Sequence, residues 1–356
     1  METAAYLGLL VGAAALRLVA VDLTPLASDE AANAWQSWIL FNWGSGDMAA
    51  GALYTYGTSL LLALFGGSDL VPRLLPALLG TGMVALPYLL RRHLGREEAL
   101  LATAFLATSP TLVFFSRQAG PAILPAALSL AVIAGAFAYA DSRRERVFLL
   151  ATVSLGLLLV SGNLSYLSLS VGVLGGAAWF LYHYLRGEVG KANDKLASLK
   201  THVPRERLTA GLLVVASTVV LVSTGLASEP AGIQRFSVLA DPRILHLKAL
   251  VVYEPGLVLL ALGSLAVSDH HGALKRLLMA WAGLAVLLGA MGGNQAPELL
   301  AQMVVPLAIL ASYPAAAALR RALGGSSARQ SGVFALTTAP LLALLYVVVT
   351  HFTLPN

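Results

Sequence analysis

The amino-acid sequence predicts an all-α membrane protein whose chain crosses the bilayer many times. Of its 356 residues, 58% are hydrophobic and only 12% are charged, whereas soluble domains carry about 25% charged residues. The mean hydropathy is +0.77, and apolar runs of about 17–25 residues, long enough to cross a bilayer as a helix, recur along the chain. A soluble core could not bury this much apolar surface, so we expect a single polytopic domain over residues 1–356.

About eleven apolar stretches are long enough to cross the membrane. The first lacks the positively charged start of a secretory signal, so we expect it to be retained as a span. The spans are predicted at 5–22, 70–90, 98–115, 122–140, 147–162, 164–185, 208–227, 247–267, 274–291, 298–319 and 331–351.

The segment between the first two spans has a different pattern. "SDEAANAWQSWILFNWG" begins at Ser28 and is apolar on one side only, and its three tryptophans are typical of the headgroup zone. "GALYTYGTSLLLALFGG", which begins at Gly51, is too short to span comfortably. We expect both to form helices along the membrane surface, within a first external loop over 23–69.

The basic residues predict the orientation of the chain. If the N-terminus is cytoplasmic, 17 of the 23 Lys and Arg residues lie in inner loops, as the positive-inside rule requires. A span at 52–66 would turn those loops outward, so the surface-helix interpretation is favoured. The inner loops are then 91–97, 141–146, 186–207 (a cytoplasmic connector), 268–276 and 320–330.

This topology has consequences for location and partners. We expect an integral protein of a prokaryotic cytoplasmic or plasma membrane, with its candidate site on the outer face. The net charge of +5 reflects topology and contact with anionic lipid, so nucleic acid is not an expected partner. The chain has no cysteine, which excludes thiolate metal sites.

Asp29 and Glu30 directly follow the first span, and two interpretations of them are open. Ser28 can cap a helix whose first turn carries both acids, where the helix dipole stabilises them. Alternatively, a carboxylate at this position is a general base that deprotonates an acceptor hydroxyl, and Asp29 could also bind a divalent metal ion. The two roles are compatible.

Arg73 and Arg117 lie at outer span ends and are candidates for holding a lipid phosphate in a bidentate fork. The alternative for each is a side chain that extends toward the headgroups. Glu254 and Gln302 are candidates for lining a cavity. The alternative for Glu254 is a structural ion pair with Lys248 or His246, and the alternative for Gln302 is an interhelical hydrogen bond. The candidate cavity residues beyond the two arginines are Tyr54, Tyr56, Arg235, His246, Lys248, Glu254 and Gln302.

Several motifs resemble those of a known group of membrane enzymes. They are "RLVAVDLTPLASDEA", "LFGGSDLVPRLLPALLG", "FFSRQ", "VVYEPGLVLLALG" and "NQAPELLAQMVVPLAILAS". In this order they resemble the GT-C membrane glycosyltransferases, which include protein O-mannosyltransferases and lipid A aminoarabinose transferases. The greatest resemblance is to the bacterial and archaeal flippase-activity-associated branch.

The resemblance implies a first span, an external loop with two surface helices, and a bundle of spans around a cavity for a lipid-linked donor. It also implies that Asp29 is the catalytic base, with Glu30 beside it. The donor would be a polyprenyl-phosphate sugar, and the acceptor a lipid-linked glycan, a protein hydroxyl or a lipid.

The sequence departs from the family pattern at four segments where relatives carry polar or charged groups. Losing several such contacts removes much of the binding energy of a phosphate or metal site, since each charge-assisted hydrogen bond contributes about 1.5–3 kcal/mol. The departures are Ala50–Ala52, Gln118–Ala122, Gly162–Leu164, and Pro297–Glu298 together with Gln302.

Two functional hypotheses therefore remain. One is a glycosyltransferase that uses a polyprenyl-phosphate sugar, with Arg73 or Arg117 holding the donor phosphate. The other is a catalytically inactive GT-C scaffold that acts as a lipid-binding or assembly subunit of a larger membrane complex, with membrane-protein partners. A transporter is a third and weaker hypothesis, because no charge is predicted near the midpoint of a span.

Overall fold

The structure is a computed structural model that describes residues 2–43, 50–162, 205–223, 250, 252–266, 272–290 and 299–323. These residues form twelve α-helices and one short 3₁₀ turn, Ser264–Ala266. The helices are α1 (Glu2–Leu18), α2 (Ser28–Trp43), α3 (Ala52–Phe65), α4 (Val71–Leu94), α5 (Arg96–Thr108), α6 (Pro110–Arg117), α7 (Ile123–Ser142), α8 (Glu145–Leu159), α9 (Arg205–Ser223), α10 (Pro255–Gly263), α11 (Gly272–Ala290) and α12 (Leu299–Leu323).

Three described helices are long and apolar enough to cross a membrane, namely α4, α7 and α12. They correspond to the predicted spans 70–90, 122–140 and 298–319, so the predicted all-α membrane architecture is confirmed. The predicted spans 164–185 and 331–351 lie outside the described residues, and the total of about eleven stays a prediction.

The predicted span 98–115 is interrupted by a bend. It consists of α5 and α6, which together are apolar enough to cross but meet at an angle of 52°. Ser109 precedes Pro110, and a residue before proline is disfavoured in the helical conformation. The backbone of Ser109 is accordingly extended, with φ −57° and ψ 119°.

The external segment forms the two helices that the sequence predicts. With 14 residues, α3 is about 21 Å long, whereas the hydrocarbon core is about 30 Å thick. It packs on α2 and on α4. Its length therefore fits a helix on the membrane surface and is too short for a span.

The core of the described bundle is built around α4 and α12. Helix α4 packs against α1, α5, α6 and α7, while α12 packs against α5, α10 and α11. Many helix contacts use alanine and glycine, as is usual where membrane helices approach closely. The loop between α1 and α2 contacts the start of α4 and the end of α6 through hydrogen bonds from two arginines. The candidate site lies there.

Candidate functional site

A buried ion pair between Glu30 and Arg73 joins α2 to α4. Glu30 Oε2 lies 2.7 Å from Arg73 Nη2, and Arg73 Nε donates to Glu30 Oε1 at 3.1 Å. The two residues are 8% and 2% exposed. This bidentate geometry is the strong form of an arginine–carboxylate contact, so it fixes the start of α2 against the start of α4.

Arg73 also binds the loop that connects α1 to α2. It donates to the carbonyl oxygens of Val21 at 2.6 Å, Thr24 at 2.8 Å and Pro25 at 3.2 Å. Together with the two bonds to Glu30, these use all five N–H groups of the guanidinium. A donor phosphate could bind Arg73 only by displacing one of these acceptors.

Glu30 accepts two backbone hydrogen bonds in addition to those from Arg73. Ala27 N–H donates to Oε2 at 3.0 Å and Ala119 N–H donates to Oε1 at 2.7 Å. Burial raises the pKa of Glu30, but the hydrogen bonds from Arg73, Ala27 and Ala119 lower it more, so the pKa lies below its ordinary value of 4.5. Glu30 is thus an ionised residue that ties together α2, α4 and the turn after α6.

Asp29, in contrast, is exposed on the first turn of α2. Its carboxylate accepts a long hydrogen bond of 3.5 Å from the Ser28 hydroxyl. Among the described residues, no group of three or more His, Asp or Glu side chains lies close enough to hold a metal ion. Both oxygens of Glu30 are already engaged, and a metal ion at Asp29 stays a prediction.

Arg117 ends α6 and binds the end of α1. Its Nη1 donates to Leu16 O and Val19 O, both at 2.8 Å, and its Nη2 donates to Ala20 O at 3.1 Å. The last carbonyl groups of a helix lack partners within the helix, and an arginine can satisfy them. Arg117 is half-buried here.

Arg17 is a third arginine of this region, which the sequence reasoning did not select. It is fully buried and donates to Leu106 O at 3.0 Å, Ala107 O at 3.2 Å and the Ser116 hydroxyl oxygen at 3.3 Å. The signal that could have found it is a charge inside the first apolar run, because such a charge requires a partner.

Glu254 lies at the bend between α5 and α6. Its carboxylate accepts hydrogen bonds from the Ser109 hydroxyl and from the Thr111 backbone N–H, the latter at 3.1 Å. Glu254 is 4% exposed and borders a cavity of about 260 Å³. Its predicted partners Lys248 and His246 lie outside the described residues, as does Arg235.

The remaining candidate residues are on α3 and α12. Tyr54 is fully buried and donates its hydroxyl to Pro72 O at 3.1 Å, and burial raises its pKa. Tyr56 is half-buried on the same helix. Gln302 is fully buried on α12, and its predicted interhelical hydrogen bond stays a prediction.

Described residues from three of the four segments that depart from the family pattern lie together. A Cβ atom on Gly51 would lie 2.9 Å from Ser161 O, and one on Gly162 would lie 4.0 Å from Pro121 Cβ. Gly51 has a φ of +84°, which glycine adopts readily. The turn before α3, the turn after α6 and the end of α8 thus meet through small, uncharged residues.

The comparisons with known proteins agree with this architecture. The family model described as dolichyl-phosphate-mannose-protein mannosyltransferase matches residues 51–188. No curated protein sequence matches the chain. Two crystal structures of ArnT from Cupriavidus metallidurans match, one in the apo state and one bound to undecaprenyl phosphate. A crystal structure of the Archaeoglobus fulgidus oligosaccharyltransferase, in complex with Zn and sulfate, matches as well.

The structural similarity extends over nearly the whole chain. Apo ArnT has a TM-score of 0.65 at 17% identity, over 100% of this chain and 66% of ArnT. The undecaprenyl-phosphate complex has a TM-score of 0.62 at 16% identity, over 97% and 70%. The oligosaccharyltransferase has a TM-score of 0.57 at 14% identity, over 96% and 52%.

The chain therefore spans about two thirds of the length of ArnT and about half that of the archaeal enzyme. The order of its helices, with two shorter helices (α2 and α3) between α1 and the long α4, agrees with what its motifs predict. This chain is an integral membrane protein with the fold of the GT-C superfamily of glycosyltransferases.

Proposed function

We propose that the chain is a GT-C-type glycosyltransferase that transfers a sugar from a polyprenyl-phosphate donor, with Asp29 as the general base. The contrast between two neighbouring carboxylates carries this proposal. Glu30 is buried and fully hydrogen-bonded, whereas Asp29 is exposed on the same helical turn. A rigidly held turn that presents one exposed carboxylate is suited to accepting a proton from a substrate hydroxyl.

The proposed reaction is the attack of an acceptor hydroxyl oxygen on the anomeric carbon of the donor sugar. Asp29 takes the hydroxyl proton, the new glycosidic bond forms, and the bond from the anomeric carbon to the phosphate oxygen breaks. Polyprenyl phosphate leaves with the bonding electrons. The acceptor is a lipid-linked glycan, a protein hydroxyl or a lipid.

In this proposal three arginines attract the phosphate of the donor mainly through their positive charge. Arg17, Arg73 and Arg117 lie around the junction of α1, α4 and α6, with Glu30 as the carboxylate bound to one of them. An excess of positive charge in a region with restricted water attracts an anionic group. The undecaprenyl phosphate bound to ArnT, which has a similar fold, supports a donor of this class.

The test is transfer of sugar from a purified polyprenyl-phosphate donor by the Asp29→Asn variant. The expected loss of rate is about 10²-fold or more, since general bases contribute about 10²–10⁴-fold. Asp69→Asn is the matched control, because Asp69 is also exposed and belongs to the same predicted loop; its rate should stay near that of the parent. Equal rates for the Asp29 variant and the parent would overturn the proposal.

The inactive scaffold remains a second candidate, because the departing segments meet through small, neutral groups. The close approach of Gly51 to Ser161 O leaves little space there for the polar groups of relatives. This candidate predicts that the parent protein binds undecaprenyl phosphate but transfers no sugar. Transfer by the parent that depends on Asp29 would exclude it.

A further inference from the structure

A second cavity lies at the other end of α4, away from the candidate site. Its volume is about 460 Å³, and it is an open cavity lined by the last turns of α4 and α7 and the start of α8. Arg91 follows Arg73 by 18 residues on α4, which corresponds to about 27 Å along the helix axis. The cavity is therefore separated from the Asp29 region by nearly the thickness of the hydrocarbon core.

The polar lining of this cavity is predominantly basic. Arg91, Arg92 and Arg144 line it together with one acid, Asp141. Asp141 Oδ1 lies 3.2 Å from His93 Nε2, so the carboxylate adjoins a histidine outside the arginine group. Within the part of the chain that the structure describes, none of the three arginine side chains forms an ion pair with a carboxylate.

The three arginines are not equally free to move. The guanidinium of Arg91 lies 3.9 Å from the centroid of the Tyr88 ring, a cation–π contact that holds it at the cavity wall. Arg92 and Arg144 are exposed; Arg92 is on α4 and Arg144 precedes α8 in the turn after α7, so they can approach a ligand from two sides. A guanidinium presents paired N–H donors that match phosphate oxygens.

Part of the remaining wall of the cavity is apolar. Leu89 is 45% exposed and lines the cavity with Val147. Cationic groups at a helix end with apolar side chains beside them match an amphiphile that has an anionic head and acyl chains. Basic pockets between transmembrane helices are known to bind anionic lipid headgroups.

We propose that this cavity binds the phosphate-bearing headgroup of an anionic phospholipid. In the predicted orientation the lipid belongs to the cytoplasmic leaflet. Arg92 and Arg144 hold the phosphate from two sides, Arg91 adds charge from the wall, and Leu89 and Val147 contact the upper part of the acyl chains. The volume lies within the range of about 300–1,000 Å³ that is typical of ligand sites.

The experiment uses the full-length protein in detergent and counts bound lipids by native mass spectrometry. Phosphatidylglycerol is the anionic probe and phosphatidylcholine, which carries a phosphate but no net charge, is the reference lipid. The parent should bind one phosphatidylglycerol at least about tenfold more tightly than phosphatidylcholine, because charges near the membrane surface favour anionic lipids. A parent without this preference would overturn the proposal.

The variant Arg91→Gln/Arg92→Gln/Arg144→Gln should lose the preference. The control Arg96→Gln/Arg146→Gln/Arg276→Gln removes the same charge from exposed positions outside the cavity lining and should keep it. Equal loss in both triple variants would show a general charge effect and overturn the assignment to the cavity.

Two further measurements keep the proposal testable if the triple variant folds poorly. Val147→Trp fills the apolar wall and leaves every arginine in place, so it should also weaken phosphatidylglycerol binding by about tenfold. Inorganic phosphate in excess should displace little of the lipid, because it lacks the acyl contacts. Full displacement by phosphate, or tight binding by the Val147 variant, would contradict a lipid site.

Discussion

Asp29 and Glu30 are neighbours in the chain but have different surroundings, because successive residues of an α-helix are rotated by about 100°. Glu30 faces the bundle and meets Arg73 and Ala119 N–H, while Asp29 faces water. The adjacent acids are therefore not a pair that shares one task. Glu30 holds the turn in place, and Asp29 is the residue that remains available for chemistry.

Replacing Glu30 by glutamine should destabilise the protein by about 3 kcal/mol or more, because Arg73 would lose its buried counter-charge. Denaturant unfolding in detergent, followed by tryptophan fluorescence, measures this change. Asp29→Asn is the control and should unfold close to the parent, since Asp29 is exposed. If both variants unfolded alike, the ion pair would not be a structural contact.

The Glu30 carboxylate should also make the unfolding free energy of the protein depend on pH. The pKa of Glu30 is lowered below 4.5 in the folded protein, so its contribution is fully present above the unfolded pKa, near 4.5. The contribution is lost as the pH falls through the lower, folded value. We expect the difference in unfolding free energy between parent and Glu30→Gln to shrink progressively below about pH 4.5. A difference that did not change down to pH 3 would contradict the sign of this shift.

The broken span α5–α6 shows how charged side chains can stabilise a helix interruption. Arg17 donates hydrogen bonds to carbonyl groups at the end of α5, and Glu254 accepts a hydrogen bond from the Thr111 N–H at the start of α6. These are the positions where a helix leaves its own backbone groups without partners. A cation at a helix C-terminus and an anion at an N-terminus also match the helix dipoles.

Replacing Arg17 by methionine should therefore weaken this junction by about 1–3 kcal/mol for each carbonyl group left without a partner. The apparent melting temperature in detergent reports the loss. Arg96→Met changes an exposed arginine at the start of α5 and should have little effect. Were the Arg17 variant as stable as the Arg96 variant, the carbonyl groups would have found other donors.

Two glycines on α4 allow the packing between α4 and α6 to be tested by comparing an alanine substitution at each. A Cβ atom on Gly80 would lie 2.8 Å from Ser116 Cβ, whereas one on Gly82 meets nothing within 4 Å. Gly80→Ala should destabilise the bundle by about 1–3 kcal/mol through overpacking. Gly82→Ala should be neutral or stabilising by up to about 1 kcal/mol, as alanine favours helix. Thermal unfolding of the two variants measures the contrast, and equal values would contradict the close contact.

Sequence reasoning predicted the lengths of the external helices and three of the long spans, because hydropathy and charge directly determine which segments can cross a bilayer. It did not predict the bend in 98–115, although the Ser109–Pro110 pair was a local signal for it. Nor could it assign the roles of Arg73 and Arg117. Their partners are mainly carbonyl groups 48–52 and 97–101 residues away, and such contacts leave no pattern in the local sequence.

The two ends of the molecule differ in how their charges are satisfied. At the Asp29 end, arginines are bound by backbone carbonyl groups and by Glu30. At the other end, Arg91, Arg92 and Arg144 line an open cavity. In the predicted orientation the first end is the outer face and the second is the inner face, where contact with anionic lipid is expected.

The predicted orientation can be tested directly, because the chain has no cysteine and each introduced cysteine is unique. Asp69→Cys and Arg146→Cys place thiols at exposed positions on opposite ends of the bundle. In intact cells a membrane-impermeant maleimide should label the first variant at once and the second only after permeabilisation. The reverse pattern would put Asp29 on the cytoplasmic side and the basic cavity outside. The base would then act on cytoplasmic acceptors, and both proposals would lose their assigned membrane face together.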